Sequence, residues 1–296
     1  MSDLVHSNDF SGQDGEVSFE RGTDGDSPIE INSTTPVKAE PTWITSDLFE
    51  LYEDKEILAS FHWLNDRIIE AAQKILEQQC GDTIKGWQCP LYEQSPSKFK
   101  AIKDGEEFAQ IILVGKSHWI AVSNVGCKAG VLDVYNSMYN NISLQTQKQI
   151  CTFWRPPTKM ATFQLVNIQQ QPNASDCGLF AIACATEIAH RKKPLLSYWD
   201  VSEMRGHLAK CLEAGKLTCF PQAHTRRIPV GNHYKKVLHE ELFCICRIPN
   251  DRRMPMICSN NCAMWFHKTC MGFDTKKSFA NEQWECTSCQ KSTTSD

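Results

Sequence analysis

The segment Gln169–Cys184, QQQPNASDCGLFAIAC, places a cysteine between an acid and a glycine, directly before an apolar run. Apolar residues at helical spacing predict that a helix begins at Cys177. A thiol at the N-terminal end of a helix feels the positive end of the helix dipole, which lowers the thiol pKa and favours the thiolate. The pattern therefore predicts that Cys177 is a nucleophile and that Gly178 leaves room for a substrate backbone.

A cysteine nucleophile needs a general base, and the base needs a group that orients it. His118 begins the β-rich run HWIAVSNV, and Asn136 follows the run VLDVY. Asp133 lies three residues before Asn136, so the two-residue alternation of a strand directs it to the opposite face of the sheet. His118 and Asn136 are therefore the candidate base and orienting residue, and Asp133 is an unfavourable substitute.

The elements that must position these residues are a mixture of helices and strands. Helical periodicity over residues 63–81 predicts a helix that is capped by Asn65 and ended by Gly81. Two more helices are predicted over CGLFAIACATEIAHR and SEMRGHLAKCLEAG, and strands over FAQIILVG, HWIAVSNV, VLDVY and FQLVNI. Helices, then strands, then helices are typical of an α+β fold.

A second set of candidate ligands lies near the C-terminus, where seven of the fifteen cysteines follow residue 243. With one histidine they form the set Cys244, Cys246, Cys258, Cys262, His267, Cys270, Cys286 and Cys289. Thiolate and imidazole are preferred zinc ligands, and eight of them with short spacers fit two tetrahedral sites. Reduced thiols are expected because nothing in the sequence predicts secretion. The spacing therefore predicts two structural Zn²⁺ ions.

This order of ligands, with MWFH ending at His267 and WEC ending at Cys286, resembles a PHD finger. The resemblance implies one zinc ion bound by Cys244, Cys246, His267 and Cys270, and another bound by Cys258, Cys262, Cys286 and Cys289. PHD fingers often bind histone tails, and Trp265 occupies the position of the tryptophan that contacts trimethyl-lysine. The segment RIPNDRRMPMI lacks the other aromatic residues of such a cage, so an unmodified tail, another partner and a purely structural module are alternatives.

Four motifs in the body of the chain resemble those of the ubiquitin-like-specific, or SUMO, proteases. They are WLND at residues 63–66, His118-Trp119, Asn136-Ser137 eighteen residues after the histidine, and Gln171 six residues before Cys177. The resemblance implies an Ulp-type α+β fold with a mixed sheet and a papain-like core. It also implies that Cys177 is the nucleophile, His118 the general base and Gln171 the oxyanion-hole side chain.

The same resemblance implies how the substrate is held and how fast it reacts. Trp63 and Trp119 would close over the substrate's C-terminal diglycine, and Asp66 would contact the substrate or cap the helix beside it. Asn136 stands where the family has aspartate. Asparagine still accepts the imidazole N–H, as in papain-like proteases, but it lacks the charge that stabilises imidazolium. Weakened but real activity is therefore expected, without a catalytic cofactor.

Composition and charge predict the boundaries. Residues 1–41 form an acidic tail that is predicted to be disordered, because residues 1–40 carry nine acids against Arg21 and Lys38. Residues 42–220 are the predicted protease domain, 221–240 a linker and 241–292 the PHD finger. The remainder is nearly neutral, which gives no electrostatic reason for nucleic-acid binding. The chain has neither a signal-peptide pattern nor an apolar run of about 20 residues, so no membrane partner is predicted.

The leading hypothesis is a nuclear, or otherwise cytoplasmic, thiol isopeptidase that cleaves after the diglycine of a ubiquitin-like protein, with SUMO-like substrates favoured. The finger would bind a histone tail or another chromatin partner. One alternative is a chromatin-bound adaptor that grips a ubiquitin-like protein without turnover, which the Asn136 substitution favours. Another is a protease of a mobile element that processes a polyprotein, because that enzyme would use the same chemistry.

Overall fold

The computed structural model describes residues 52–90, 98–224, 231–273 and 283–293. The chain divides into two units, Met1–Ala39 and Glu40–Asp296, and every described residue belongs to the second. The predicted acidic tail, residues 1–41, therefore lies outside the described residues. The same holds for residues 225–230 of the predicted linker and residues 274–282 of the predicted finger.

The described residues form six α-helices and eight strands. The helices are α1 (Tyr52–Ala59), α2 (Asp66–Cys80), α3 (Leu144–Phe153), α4 (Cys177–Ala189), α5 (Val201–Glu213) and α6 (Thr287–Thr293). The strands are β1 (Lys85–Gly86), β2 (Phe108–Val114), β3 (His118–Ser123), β4 (Val131–Tyr135), β5 (Met160–Val166), β6 (Tyr234–Glu241), β7 (Met256–Cys258) and β8 (Trp265–His267). None of these helices combines the length and the hydrophobicity that crossing a membrane requires.

Strands β1 to β6 form one sheet in chain order. The pairs β1–β2 and β4–β5 are parallel, and the other three pairs are antiparallel. This mixture of parallel and antiparallel pairs, with helices on the sheet, confirms the predicted α+β class with a mixed sheet. Helices α1 and α3 and strands β1 and β6 were not among the predicted elements.

Helices cover both faces of the sheet. Helices α2, α4 and α5 share one hydrophobic core with Trp119 and Ala121 of β3. Helix α3 shares the other core with Ile120 and Val122 of the same strand. Neighbouring residues of a strand point to opposite faces, so one apolar strand serves both cores. The sheet therefore lies in the middle, which explains why β3 is buried along its whole length.

Helix α4 is the central helix of the larger core. It begins at Cys177, as predicted, and every residue from Cys177 to Ile188 is buried. A helix that is apolar on all sides is typical of such a position. Helix α2 packs beside it and begins as predicted, because the Asn65 side chain accepts a hydrogen bond from the Ile68 amide at 3.0 Å.

The predicted linker, residues 221–240, is wrong in its last part, because residues from Tyr234 onward belong to the sheet. Strand β6 pairs with β5 from Met160 to Val166 and extends to Glu241. The sequence YKKVLHEE alternates polar and apolar residues too weakly to predict a strand, and tertiary pairing with β5 decides the outcome. The chain then continues into the C-terminal segment, where β7 and β8 form a separate two-stranded sheet.

Candidate active site and metal-ligand clusters

The structure brings His118 and Asn136 together. Strands β3 and β4 are antiparallel neighbours, so the beginning of β3 and the end of β4 lie at the same edge of the sheet. Nε2 of His118 lies 3.0 Å from Oδ1 of Asn136, and both side chains are buried. Asp133 does not contact the imidazole; its carboxylate instead accepts a hydrogen bond from the Tyr135 hydroxyl at 3.3 Å.

The hydrogen bonds of Asn136 define the protonation of His118. Oδ1 of Asn136 also accepts the backbone N–H groups of Met138 at 3.0 Å and Tyr139 at 2.9 Å. These two N–H donors need an acceptor, so the Asn136 atom that faces them is the amide oxygen and not the amide nitrogen. The same oxygen faces Nε2 of His118, so Nε2 carries the proton and donates it. The neutral imidazole therefore keeps its lone pair on Nδ1, a buried atom without a hydrogen-bond partner among the described residues. Nδ1 is the atom that can take a proton.

The candidate nucleophile begins helix α4, which packs against the strand that His118 begins. Cys177 is the first residue of α4, and it is only 1% exposed. The backbone N–H groups of Trp119, the residue after His118, of Gly178 and of Cys177 itself lie near its sulfur and lower the pKa of the thiol. These amides surround the sulfur with positive dipoles at the point where β3 meets the beginning of α4.

The predicted net lowering of the Cys177 pKa is wrong, although the amides at the helix end do lower it. Burial raises the pKa of the Cys177 thiol above its ordinary value, and the three backbone amides offset only part of this effect. Burial also lowers the pKa of His118, against the opposing effect of its hydrogen bond to Asn136. The resting pair is therefore a neutral thiol and a neutral imidazole, so the thiolate must form by proton transfer to His118.

Gln171 is held in place from both ends of its amide. Its Oε1 accepts a hydrogen bond from the Ser137 hydroxyl at 2.6 Å, and its Nε2 donates to the Asn173 carbonyl at 2.6 Å. The Nε2 group has two hydrogens, so it can still donate to a second acceptor. Ser137 was not predicted as a site residue, although it lies beside Asn136 in the motif that suggested the family.

The two candidate tryptophans occupy different environments. Trp63 is 49% exposed, and its Nε1 donates to the Ala174 carbonyl at 2.8 Å, so its ring lies against the loop before the nucleophile. Trp119 is buried, and its Nε1 donates to the Leu64 carbonyl at 3.0 Å. Asp66 is the half-buried first residue of α2 and does not cap the helix, because Asn65 does.

Gly178 serves a purpose other than the predicted one. A Cβ at this position would lie 3.1 Å from atoms of Leu64 and Trp119 and 3.2 Å from Ile69. These are internal neighbours, so the missing side chain permits α4 to pack closely against β3 and α2. Gly178 is therefore required by the packing of internal side chains and not by the room that a substrate backbone needs.

Arg205 is a site residue that the sequence did not reveal. Its guanidinium forms a nearly buried ion pair with Asp176, the residue before the nucleophile, at 2.6 Å. It also donates to the carbonyls of Ile57, Ser60 and His62, just before Trp63. Arg205 therefore joins the loop that carries Cys177 to the segment that carries Trp63.

The C-terminal segment forms two clusters of possible metal ligands. One ligand atom from each of Cys244, Cys246, His267 and Cys270 lies within 4.8 Å of the others, and the same is true of Cys262, Cys286 and Cys289. Tetrahedral zinc with a Zn–S distance of about 2.3 Å places its sulfur ligands about 3.8 Å apart. The Cys262–Cys286 and Cys286–Cys289 sulfur pairs lie at 3.8 and 3.5 Å. Both clusters therefore fit zinc in donor type and in spacing.

Two predicted residues of this segment lie apart from the clusters. The Cys258 sulfur is not grouped with Cys262, Cys286 and Cys289, and it lies 3.7 Å from the Ser259 carbonyl oxygen. Trp265 is 46% exposed and pairs with Cys258 across the β7–β8 sheet. The nearby Trp284 packs edge-on against Phe266, with ring centres 5.4 Å apart, as expected for a core residue.

Residues 93–216 match the family model described as the Ulp1 protease family, C-terminal catalytic domain. The comparison with curated proteins gives no match. One similar solved structure is the C-terminal Ulp1 protease domain in complex with Smt3, the yeast ortholog of SUMO, with 16% identity, coverage of 61% of this chain and 90% of that chain, and a TM-score of 0.49.

Two other solved structures are similar to this chain. The Ulp1-like SUMO protease catalytic domain of Chaetomium thermophilum has 20% identity, with 53% of this chain and 74% of that chain covered and a TM-score of 0.39. The Xanthomonas campestris effector protein XopD, bound to ubiquitin, has 15% identity, with 52% and 92% covered and a TM-score of 0.35. The part of the chain that contains His118, Asn136, Gln171 and Cys177 is therefore similar, by its family match, to the catalytic domain of the Ulp1 family of cysteine proteases.

Proposed function

We propose that this chain is a thiol peptidase or isopeptidase that cleaves after the C-terminal diglycine of a ubiquitin-like protein, most favourably a SUMO-like one. One observation carries the proposal. His118, with an unpartnered Nδ1, begins strand β3, and the backbone N–H of the next residue, Trp119, lies at the buried thiol of Cys177, inside the segment that matches the Ulp1 family. The substrate class comes from that family resemblance and from the motifs.

The proposed reaction uses only side chains and backbone groups of the chain. The Cys177 sulfur attacks the carbonyl carbon of the terminal glycine as its proton passes to Nδ1 of His118. The Gln171 amide and the backbone N–H of Cys177 donate to the oxyanion that forms. The imidazolium then protonates the leaving amine, which leaves an acyl-enzyme thioester. Water attacks this thioester, with His118 as the base, and restores the thiol.

The surroundings of Cys177 favour a narrow substrate terminus. The sulfur is nearly inaccessible, Trp119 is packed beside it, and Trp63 lies over the loop before it. Glycine is the residue that permits the closest approach of a backbone. We propose that Trp63 and Trp119 enclose the diglycine, and that the half-buried Asp66, the first residue of α2, contacts the folded part of the substrate.

The test is covalent labelling with diglycine-terminated ubiquitin-like probes that carry a vinyl sulfone. We expect a stable adduct with the wild-type protein and none with Cys177→Ala, and labelling at least 100-fold slower with His118→Ala, in line with the ~10²–10⁴-fold effect of a general base. Cys184→Ala is the matched control, because Cys184 is a fully buried cysteine of the same helix. Loss of the adduct in Cys184→Ala alone would contradict the assignment of Cys177.

The absence of any adduct with the wild-type protein would favour the adaptor function. The neutral Asn136 and the raised pKa of the Cys177 thiol are the observations that support it. An adaptor would still bind the ubiquitin-like protein, which calorimetry with the unmodified partner would detect. A polyprotein substrate predicts labelling by none of these probes but cleavage of diglycine-containing peptides.

We propose that the C-terminal segment is a PHD-type finger with two structural zinc ions. This finger would bind the protein to chromatin in the nucleus. Cys258 would complete the second site after a rotation of its side chain. Elemental analysis is expected to find two zinc ions per chain, and one in Cys270→Ser or Cys258→Ser. Cys219→Ser, outside the clusters, is the control. Unchanged zinc in Cys258→Ser would show that this cysteine is no ligand.

The finger's partner is proposed to be a histone tail, with Trp265 as the contact residue. The ring is exposed and lies on β8, as does the proposed metal ligand His267. Trp265→Ala is expected to remove binding of a trimethyl-lysine histone peptide while leaving the zinc content unchanged. Equal binding of methylated and unmodified peptides would instead indicate that the aromatic ring is not a cage.

A further inference from the structure

Strand β6 contains an irregularity close to the candidate active site. Leu165 of β5 pairs with Lys236, and the next residue, Val166, pairs with Tyr234. Lys235 is therefore the extra residue of a β-bulge. A bulge turns the side chain of its extra residue away from the regular alternation of the strand, and bulges are frequent beside active sites.

The two lysines of β6 contact both ends of one short loop. Nζ of Lys235 donates to the backbone carbonyl of Asn136 at 3.3 Å, and Nζ of Lys236 donates to Oδ1 of Asn141 at 2.8 Å. We name residues 136–141 the catalytic loop. The catalytic loop itself has no charged side chain. Among the described contacts, the two lysines of β6 therefore supply the only charge-assisted hydrogen bonds to this loop.

The catalytic loop carries the groups that orient the base and the oxyanion donor. Asn136 accepts the N–H of His118, and Ser137 donates to the amide of Gln171. The ring of Tyr139 packs edge-on against His118, with ring centres 4.9 Å apart. A displacement of this loop would therefore move the imidazole and the Gln171 amide together.

The environment of Lys235 agrees with a fixed position. The residue is half-buried, and burial lowers the pKa of its ammonium group to about 8, against the opposing effect of Cys184. A charged group that loses water needs hydrogen-bond acceptors from the protein, and the Asn136 carbonyl is one.

Strand β6 also lies beyond the family match, which ends at residue 216, and it leads to Leu242 and the first predicted metal ligand, Cys244.

We propose that Lys235 and Lys236 are positioning residues, which hold the catalytic loop from the strand that leads to the finger. The loop's geometry then depends on a segment outside the matched protease region. The inference rests on the proposed function only for its catalytic consequence, because the contacts themselves can be tested in a protein without turnover. Both lysines act through Asn136 and Asn141, and neither touches the reacting atoms.

The experiment uses the full chain with Lys235→Met and Lys236→Met, singly and together. Methionine keeps the length and the apolar stem of lysine and removes the donor. Val237→Thr is the matched control, because Val237 is the next residue of β6 and is exposed. Lys235→Arg restores a charged donor and is the conservative variant. The readouts are amide hydrogen exchange of residues 136–141 and the rate of probe labelling.

We expect the double variant to exchange the amides of Met138 and Tyr139 about tenfold faster than the wild type, since a hydrogen bond to a charged group is lost at each end of the loop. Exchange in β2 should not change. Labelling should slow about tenfold through the reaction step, with little change in the probe concentration that gives half-maximal rate. Lys235→Arg should restore most of both.

The proposal would be overturned if the loop amides of the double variant exchanged no faster than those of Val237→Thr. It would also be overturned if the amides of β2 exchanged faster by the same factor as the loop, because that would indicate general destabilisation. Faster loop exchange with an unchanged labelling rate would overturn the catalytic consequence. Faster loop exchange in a protein that no probe labels would support the positioning role and reject the proposed protease function, so the two failures are distinguishable.

Discussion

Asn136→Asp is expected to increase the rate of probe labelling at neutral pH by about 10- to 100-fold, because a hydrogen bond to a charged acceptor contributes about 1.5–3 kcal/mol. The carboxylate would accept the same N–H groups, from His118, Met138 and Tyr139, that now reach Oδ1 of Asn136. Its charge would stabilise the imidazolium that forms when His118 takes the proton of Cys177. The geometry is already present, and only the charge is missing.

The rate is measured with excess probe, so that it reports the reaction of Cys177. The matched control is Asn141→Asp, which adds the same charge to the same loop at a residue whose recorded contact is with Lys236 rather than His118. An Asn136→Asp protein that reacts no faster than the wild type would show that Asn136 does not orient the base. An equal increase of the labelling rate in Asn141→Asp would show that a negative charge anywhere on the loop has this effect.

The pH dependence of the same variant gives an independent check. His118 acts as a base only when it is unprotonated, and burial holds its pKa below its ordinary value of 6.5 in the wild type. The wild-type rate should therefore rise with pH with a midpoint below pH 6.5 and then level off. A carboxylate at residue 136 raises the pKa of His118, so protonated His118 should persist to higher pH, as NMR titration of the imidazole would show.

Arg205→Met is expected to lower the free energy of unfolding by about 3–5 kcal/mol, because it leaves the charge of Asp176 buried without an opposite charge. Asp176 is 1% exposed, and Arg205 is its ion-pair partner. The change also removes the donors to the carbonyls of Ile57, Ser60 and His62. Urea denaturation measures the loss, and labelling of Cys177 should slow because the loop before it is released.

Two further variants show where the loss of stability in Arg205→Met comes from. Lys55→Met removes the exposed ion pair between Lys55 of α1 and Glu213, which lies on α5 as Arg205 does. It should lower the free energy of unfolding by less than about 1 kcal/mol. Adding Asp176→Asn to Arg205→Met removes the unpaired charge and should restore part of the stability. If Arg205→Met were no more destabilising than Lys55→Met, Arg205 would not join the two loops of the site.

Several features of the fold and site could be predicted because they depend on residues that are close in sequence. Helical periodicity located α4 at Cys177, and the Asn65 cap located α2. Alternation in β4 correctly separated Asp133 from Asn136, because the faces of a strand follow from residue number alone. Strand β6 escaped prediction because its partner, β5, lies far from it in the chain.

The sequence by itself determined which residues can do chemistry: a cysteine at a helix start, a histidine and an asparagine at adjoining strand ends, and eight candidate zinc ligands. Only the tertiary structure decided how these groups are charged and held. Lys235 and Asn136 are 99 residues apart, and Arg205 and Asp176 are 29 apart, so no local pattern links them. The raised pKa of the Cys177 thiol has the same origin, because desolvation depends on every segment that covers a group and not on its neighbours in sequence.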